Sequence, residues 1–70
     1  MKLQFRLGTQ FIRRNSKRND IETVVDILVT RNTKDEVVAV RYVCEHDFMG
    51  QIVTDSDVPA STIARGYIEQ

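Results

Sequence analysis

From Ile21 to Cys44 the chain alternates apolar and polar positions with a period of two, built largely on β-branched residues and broken once by a fully polar stretch. That pattern restricts this third of the molecule to a β-hairpin. Branching at Cβ narrows side-chain freedom in a helix but packs well on a pleated surface. Over Ile21 to Arg31, Ile21, Thr23, Val25, Ile27 and Val29 share one face, and Glu22, Val24, Asp26, Leu28 and Thr30 share the other. Asn32 to Glu36 contains no apolar residue and predicts the turn. Val37 to Cys44 is the return strand. Its face carrying Val38, Val40, Tyr42 and Cys44 is more apolar than the face carrying Val37, Ala39, Arg41 and Val43, and is expected to meet the core.

The flanks read less regularly. Leu3, Phe5 and Leu7 alternate with Lys2, Gln4 and Arg6, and Phe11 and Ile12 follow beyond Gly8. Residues 2–14 therefore predict one long bent strand or two short ones, with a bend or bulge at Gly8. Residues 15–20 are polar and rich in turn formers, which predicts a loop. Glu45 to Gly50 reads as a second connection, Gln51 to Thr54 as a short strand and Asp55-Ser56-Asp57 as a turn. Pro59 lacks an N–H and stops any strand. Ala60 to Arg65 predicts one short helical turn, with Gly66 as the residue that ends it. Tyr67 and Ile68 are expected to pack back as a last short strand or tail.

Seventy residues predict a single small β-rich domain over residues 1–70. Short strands joined by tight turns suggest a mainly β fold: a small SH3-like antiparallel barrel, or a strongly bent sheet, with one short helical turn near the C-terminus. Closure would remove exposed sheet edges; an open three- or four-stranded sheet with one helix is the alternative. The single cysteine, Cys44, offers no internal disulfide, and a reducing, cytoplasmic setting is expected. No apolar run is long enough to span a membrane, and the alternating N-terminus does not resemble a secretory leader. Val24 and Leu28 lie on a strand face that a homodimer could cover, so monomer and homodimer both remain open.

Catalytic chemistry is sparse. Cys44 and the single histidine, His46, share a strand face, yet only Glu45 or Asp47 could serve as a third group beside a nucleophile and base, and they read better as a strand end. Cys44, His46 and Asp47 lack the second ligand pair of a closed zinc site, and Asp55 and Asp57 lack the further ligands of a calcium loop. No catalytic residue, metal site or cofactor is expected. Binding surfaces are better supported. Phe48 and Met49 fall in a turn next to Glu45, His46 and Asp47, where they either plug the barrel end, the more frequent outcome, or stand exposed as an anchor ringed by acids and backed by Tyr42; Phe48, Met49, Tyr42 and His46 are then the candidate contacts for a protein partner. The alternative lies in the charge distribution. The net charge is zero, but residues 1–18 carry +6 and the remainder −6. Arg13, Arg14, Lys17 and Arg18 are candidates for nucleic-acid contact through phosphates. They could equally pair with acidic strands of their own domain.

The segments Glu22-Thr23-Val24-Val25-Asp26-Ile27, Val40-Arg41-Tyr42-Val43, Gly50-Gln51 and Asp57-Val58-Pro59 with Thr62-Ile63-Ala64-Arg65-Gly66 resemble short uncharacterised proteins of phages and prophages, over about residues 20–68. The resemblance implies a small accessory protein acting in a bacterial host's cytoplasm, binding either a host protein or nucleic acid. It carries no residue-level activity. A non-catalytic module that modulates a host protein complex is the expectation, with nucleic-acid binding through residues 13–18 as the alternative.

Overall fold

The computed structural model describes residues 4–14 and 19–69. Four antiparallel strands form one sheet in chain order: β1 (Gln10–Arg14), β2 (Asn19–Arg31), β3 (Val37–Phe48) and β4 (Gln51–Val58), followed by the helix α1 (Ala60–Gly66). The expected barrel is not formed. Among the described residues the sheet is an open meander with β1 and β4 at opposite edges, so the fold is mainly β without barrel closure. The β1 edge is partly covered: Tyr67 bridges Phe11, and the Ile68 N–H donates to the Gln10 carbonyl at 3.1 Å. The β4 edge carries Asp55 and Asp57, charges that discourage strand addition.

The long hairpin forms where the alternation demands it, with one correction that sets the core. Val24 pairs with Cys44 and Ile27 with Tyr42, so a bulge lies between Val24 and Asp26. The extra residue shifts the face of everything after it. Glu22 and Val24 point inward, and past the bulge Ile27 takes the inward position that strict alternation would give to Asp26. Just past the bulge the Asp26 carboxylate accepts the Ile27 N–H at 2.8 Å. Val24 is therefore core and unavailable to a dimer, whereas Leu28 is exposed. The turn at Asn32–Glu36 is closed by Asn32, whose Oδ1 accepts from the N–H groups of Lys34 and Glu36.

The buried core is Phe11, Val24, Tyr42, Cys44, Val58 and Ile63, with Phe5, Ile27, Val40 and Ala60 packed against it. Each fully buried large apolar side chain contributes about 1.5–3 kcal/mol. Phe5 reaches Tyr42 edge-on, with ring centroids 5.8 Å apart. It does so from a bend rather than the expected strand, since regular pairing begins only at Gln10. Lys2 and Leu3 lie outside the described residues. α1 is too short to be stable alone. Ile63 anchors it in the core, and Gly66 lies directly against the Ile12 backbone. Gly66 is thus the last helical residue, required for close approach rather than for a left-handed cap.

β3 runs on through Glu45–Phe48, and β4 runs through Asp55-Ser56-Asp57, both read from sequence as connections. The turn between them is only Met49-Gly50. Both residues have positive φ, 52° and 85°, the signature of a type I′ hairpin turn. Glycine suits that conformation and methionine does not. Met49→Asn is expected to raise stability by about 0.5–1 kcal/mol, because asparagine tolerates the left-handed region. Urea denaturation of the two proteins checks this, and a lower midpoint for the variant contradicts it.

Candidate functional site

Two regions of this sheet carry chemistry. The first is the tip of the β3–β4 hairpin. Met49 is 86% exposed, Ile52 is 63% exposed, and Phe48 and Val53 are also partly open. Four apolar side chains at one hairpin end are more than scattered surface hydrophobes would supply. Methionine is long and flexible, a side chain suited to an irregular apolar surface. Asp47 stabilises the turn beneath, its Oδ1 accepting the Gly50 N–H at 2.8 Å.

The second region lies on the core side of the sheet, beyond the apolar cluster. Phe11 and Arg13 share a face of β1, as do Glu22 and Val24 on β2, and Tyr42, Cys44 and His46 on β3. A further irregularity in the β3–β4 register lets both Asp55 and Val58 of β4 join that side. The apolar members form the core, and the polar members meet beside it. Arg13 Nη1 lies 3.3 Å from Glu22 Oε2 and 3.2 Å from Asp55 Oδ2. His46 Nδ1 lies 3.4 Å from Asp55 Oδ2 and 3.7 Å from Glu22 Oε1. Glu22 is fully buried, and burial, reinforced by the hydrogen bonding and negative charge of Asp55 and opposed by Arg13, pushes its carboxyl up to about 7. Glu22 Oε1 and His46 Nδ1 are buried without a hydrogen-bond partner.

The structure separates the four protein-contact candidates. Phe48 and Met49 stand at the tip. Tyr42 is fully buried and supports the sheet from within, so it offers a partner no surface. His46 is not in a turn: it sits within β3 with its side chain only 13% exposed, facing Glu22 and Asp55. Cys44 is a core residue. Burial, with the nearby charges of Glu22 and Asp55, pushes its thiol up to about 11, which makes it a poor nucleophile at neutral pH. Of the nucleic-acid candidates, Arg13 pairs with Glu22 and Asp55, the internal pairing that the charge distribution allowed. Arg14 is exposed and lines a cleft with Ile12, Arg13, Thr62 and Arg65. Lys17 and Arg18 lie outside the described residues.

Sequence reasoning missed the roles of Glu22 and Asp55. Their positions are 33 residues apart along the chain, and no spacing rule connects them. The available signal was an acid, Glu22, sharing a strand face with Val24, which proves to be core. Among the described residues no helix is long and apolar enough to cross a membrane.

Fold and surface together define a small open-sheet β protein with an apolar hairpin tip. Comparison with protein-family models, curated proteins and solved structures finds no significant match to this chain.

Proposed function

We propose that this protein is a non-catalytic binding module that engages a partner protein through the tip of the β3–β4 hairpin. The observation that carries the reading is Met49: an 86% exposed apolar side chain held in a left-handed turn position that asparagine or glycine would occupy at lower cost. Backbone strain retained at an exposed position is a reason to look for function there. Phe48 and Val53 flank it on one face of the hairpin and Ile52 on the other, and an anchor of this kind gains most when a partner's pocket removes it from water. Following the resemblance to phage accessory proteins, the partner is read as a host protein complex in the bacterial cytoplasm, with host defence machinery as one such target.

The test is affinity capture from bacterial lysate with the wild-type chain and with Phe48→Ala/Met49→Ala. A partner recovered by the wild type should be retained at least tenfold less by the double variant, a loss of about 1.4 kcal/mol or more. Recovery of no specific partner, or equal recovery by both proteins, overturns the reading. Met49→Asn adds a sharper form of the same test, since it is expected to strengthen the fold while weakening capture.

The second reading, nucleic-acid binding, draws on the cleft where Arg14 and Arg65 meet. It predicts affinity that falls steeply with salt and falls again on replacing Arg14, Lys17 and Arg18. Fluorescence anisotropy with single- and double-stranded DNA and RNA at low salt decides it; no binding there removes it.

A further inference from the structure

We propose that Glu22, His46 and Asp55 form a binding site for one divalent transition-metal ion of the zinc class, with Glu22 Oε1, His46 Nδ1 and Asp55 Oδ2 as its ligands. One ligand atom from each residue lies within 4.8 Å of the other two, and the three residues come from three adjacent strands, β2, β3 and β4. A tetrahedral ion with bonds of about 2.0–2.1 Å has ligand-to-ligand edges of about 3.3 Å. Two edges of this triangle already measure 3.4 and 3.7 Å.

A second observation points to an absent ligand. Glu22 is completely buried, its Oε1 has no partner, and the equally unpartnered His46 Nδ1 lies beside it. Leaving one buried polar atom unsatisfied costs about 1–3 kcal/mol. A proton shared between Glu22 and Asp55 serves the two carboxyl groups but gives His46 Nδ1 nothing, and both of its carboxylate neighbours lie too far for a good hydrogen bond. A cation serves all three atoms at once.

The ligand chemistry selects the class of ion. One imidazole and two carboxylates match zinc and its transition-metal neighbours, whereas calcium needs six to eight oxygen ligands. Arg13 acts as an outer brace. By holding Glu22 Oε2 at 3.3 Å it leaves Oε1 turned toward His46. Arg13 also lies 3.2 Å from Asp55 Oδ2, so both acids lean on one guanidinium, and a bound ion would replace the proton that Glu22 otherwise keeps up to about pH 7. Asp55, 32% exposed at the rim, gives the ion a way in, and three protein ligands leave a fourth position open. This site is independent of the hairpin-tip reading, since none of its ligands belongs to the exposed tip.

The experiment uses the full chain, stripped with a chelator and titrated with cobalt(II) as a spectroscopic stand-in for zinc. The expected result is one equivalent bound, with the intense visible absorption of tetrahedral cobalt, displaced by one equivalent of zinc. Glu22→Gln, His46→Gln and Asp55→Asn, each confirmed as folded by circular dichroism, should each weaken binding at least tenfold. Because His46 is the single histidine, a long-range proton–nitrogen spectrum of the wild type with zinc reports on the site even if a variant fails to fold. Nδ1 should shift on metal addition while Nε2 keeps its proton. Only weak octahedral absorption, coordination through Nε2, or undiminished affinity in all folded variants would overturn the proposal.

Discussion

Replacing Gly66 by alanine should cost about 3 kcal/mol or more and release α1 from β1. A β-carbon at that position would stand 1.9 Å from the Ile12 carbonyl oxygen, 2.8 Å from its carbonyl carbon and 2.9 Å from its nitrogen. All three are backbone atoms of a strand paired to β2, so none can swing aside as a flexible side chain would. Two effects oppose each other. Alanine favours the helix over glycine by about 1 kcal/mol, and the overlap with β1 opposes it by considerably more. The overlap should win. A domain of this size has a total stability of roughly 4–10 kcal/mol, so the loss is a large fraction of it. Urea denaturation gives the measurement. Ser61→Ala, an exposed change on the same helix, serves as the control and should stay within about 0.5 kcal/mol of wild type. An unchanged midpoint for Gly66→Ala would show that the helix does not rest on Ile12.

The second large effect is on pH dependence and is expected in chelator-treated protein. The Glu22 carboxyl rises from 4.5 to about 7 on folding. Between those values the folded state keeps a proton that the unfolded chain has already released. The unfolded state therefore binds fewer protons, and stability falls as pH rises through this window. The contribution is intact below about pH 4.5, declines by at most about 1.4 kcal/mol per pH unit, and is lost above about pH 7, for a total on the order of 3 kcal/mol. Glu22→Gln removes the titration while keeping the side chain's shape. It should flatten this part of the profile and be more stable than wild type at about pH 8, by about 2–3 kcal/mol. Denaturation curves at about pH 5 and about pH 8 for both proteins provide the check. Parallel profiles would mean that Glu22 is not the titrating group.

Both effects arise where chain segments distant in sequence converge, and that is also where the sequence was hardest to read. The β2–β3 hairpin was legible because alternation and turn polarity act over a few neighbouring residues. The helix was legible for the same reason, bounded by Pro59 and Gly66. The extension of β3 through His46 and of β4 through Asp57 was not. Acids and polar residues in a row resemble a turn until their partners are known. Arg41 Nη1 holds Asp57 at 2.9 Å, and Arg13 and His46 face Asp55. Those pairings let charged residues occupy strand positions that their local propensity disfavours.

The proposed functional surface divides in the same way. Phe48 and Met49 stood out in the sequence as apolar residues among polar ones, and they are exposed. The sequence groups Tyr42 and His46 with them as backing and as a neighbour in the same turn, but β3 runs on through both and turns them inward. The Glu22–His46–Asp55 cluster had no sequence signature, since its members come from three strands.

By itself the sequence determined the local structure: β-branched alternation made a hairpin, a polar stretch turned it, and proline ended the last strand before a short helix. Only the tertiary structure decided that the sheet stays open, that a bulge after Val24 brings Ile27 to the core, and that buried Glu22 meets His46 and Asp55 beside that core. The reason is physical. Backbone sterics and side-chain period are properties of neighbouring residues, whereas register, closure and the desolvation of Glu22 depend on which strands lie side by side.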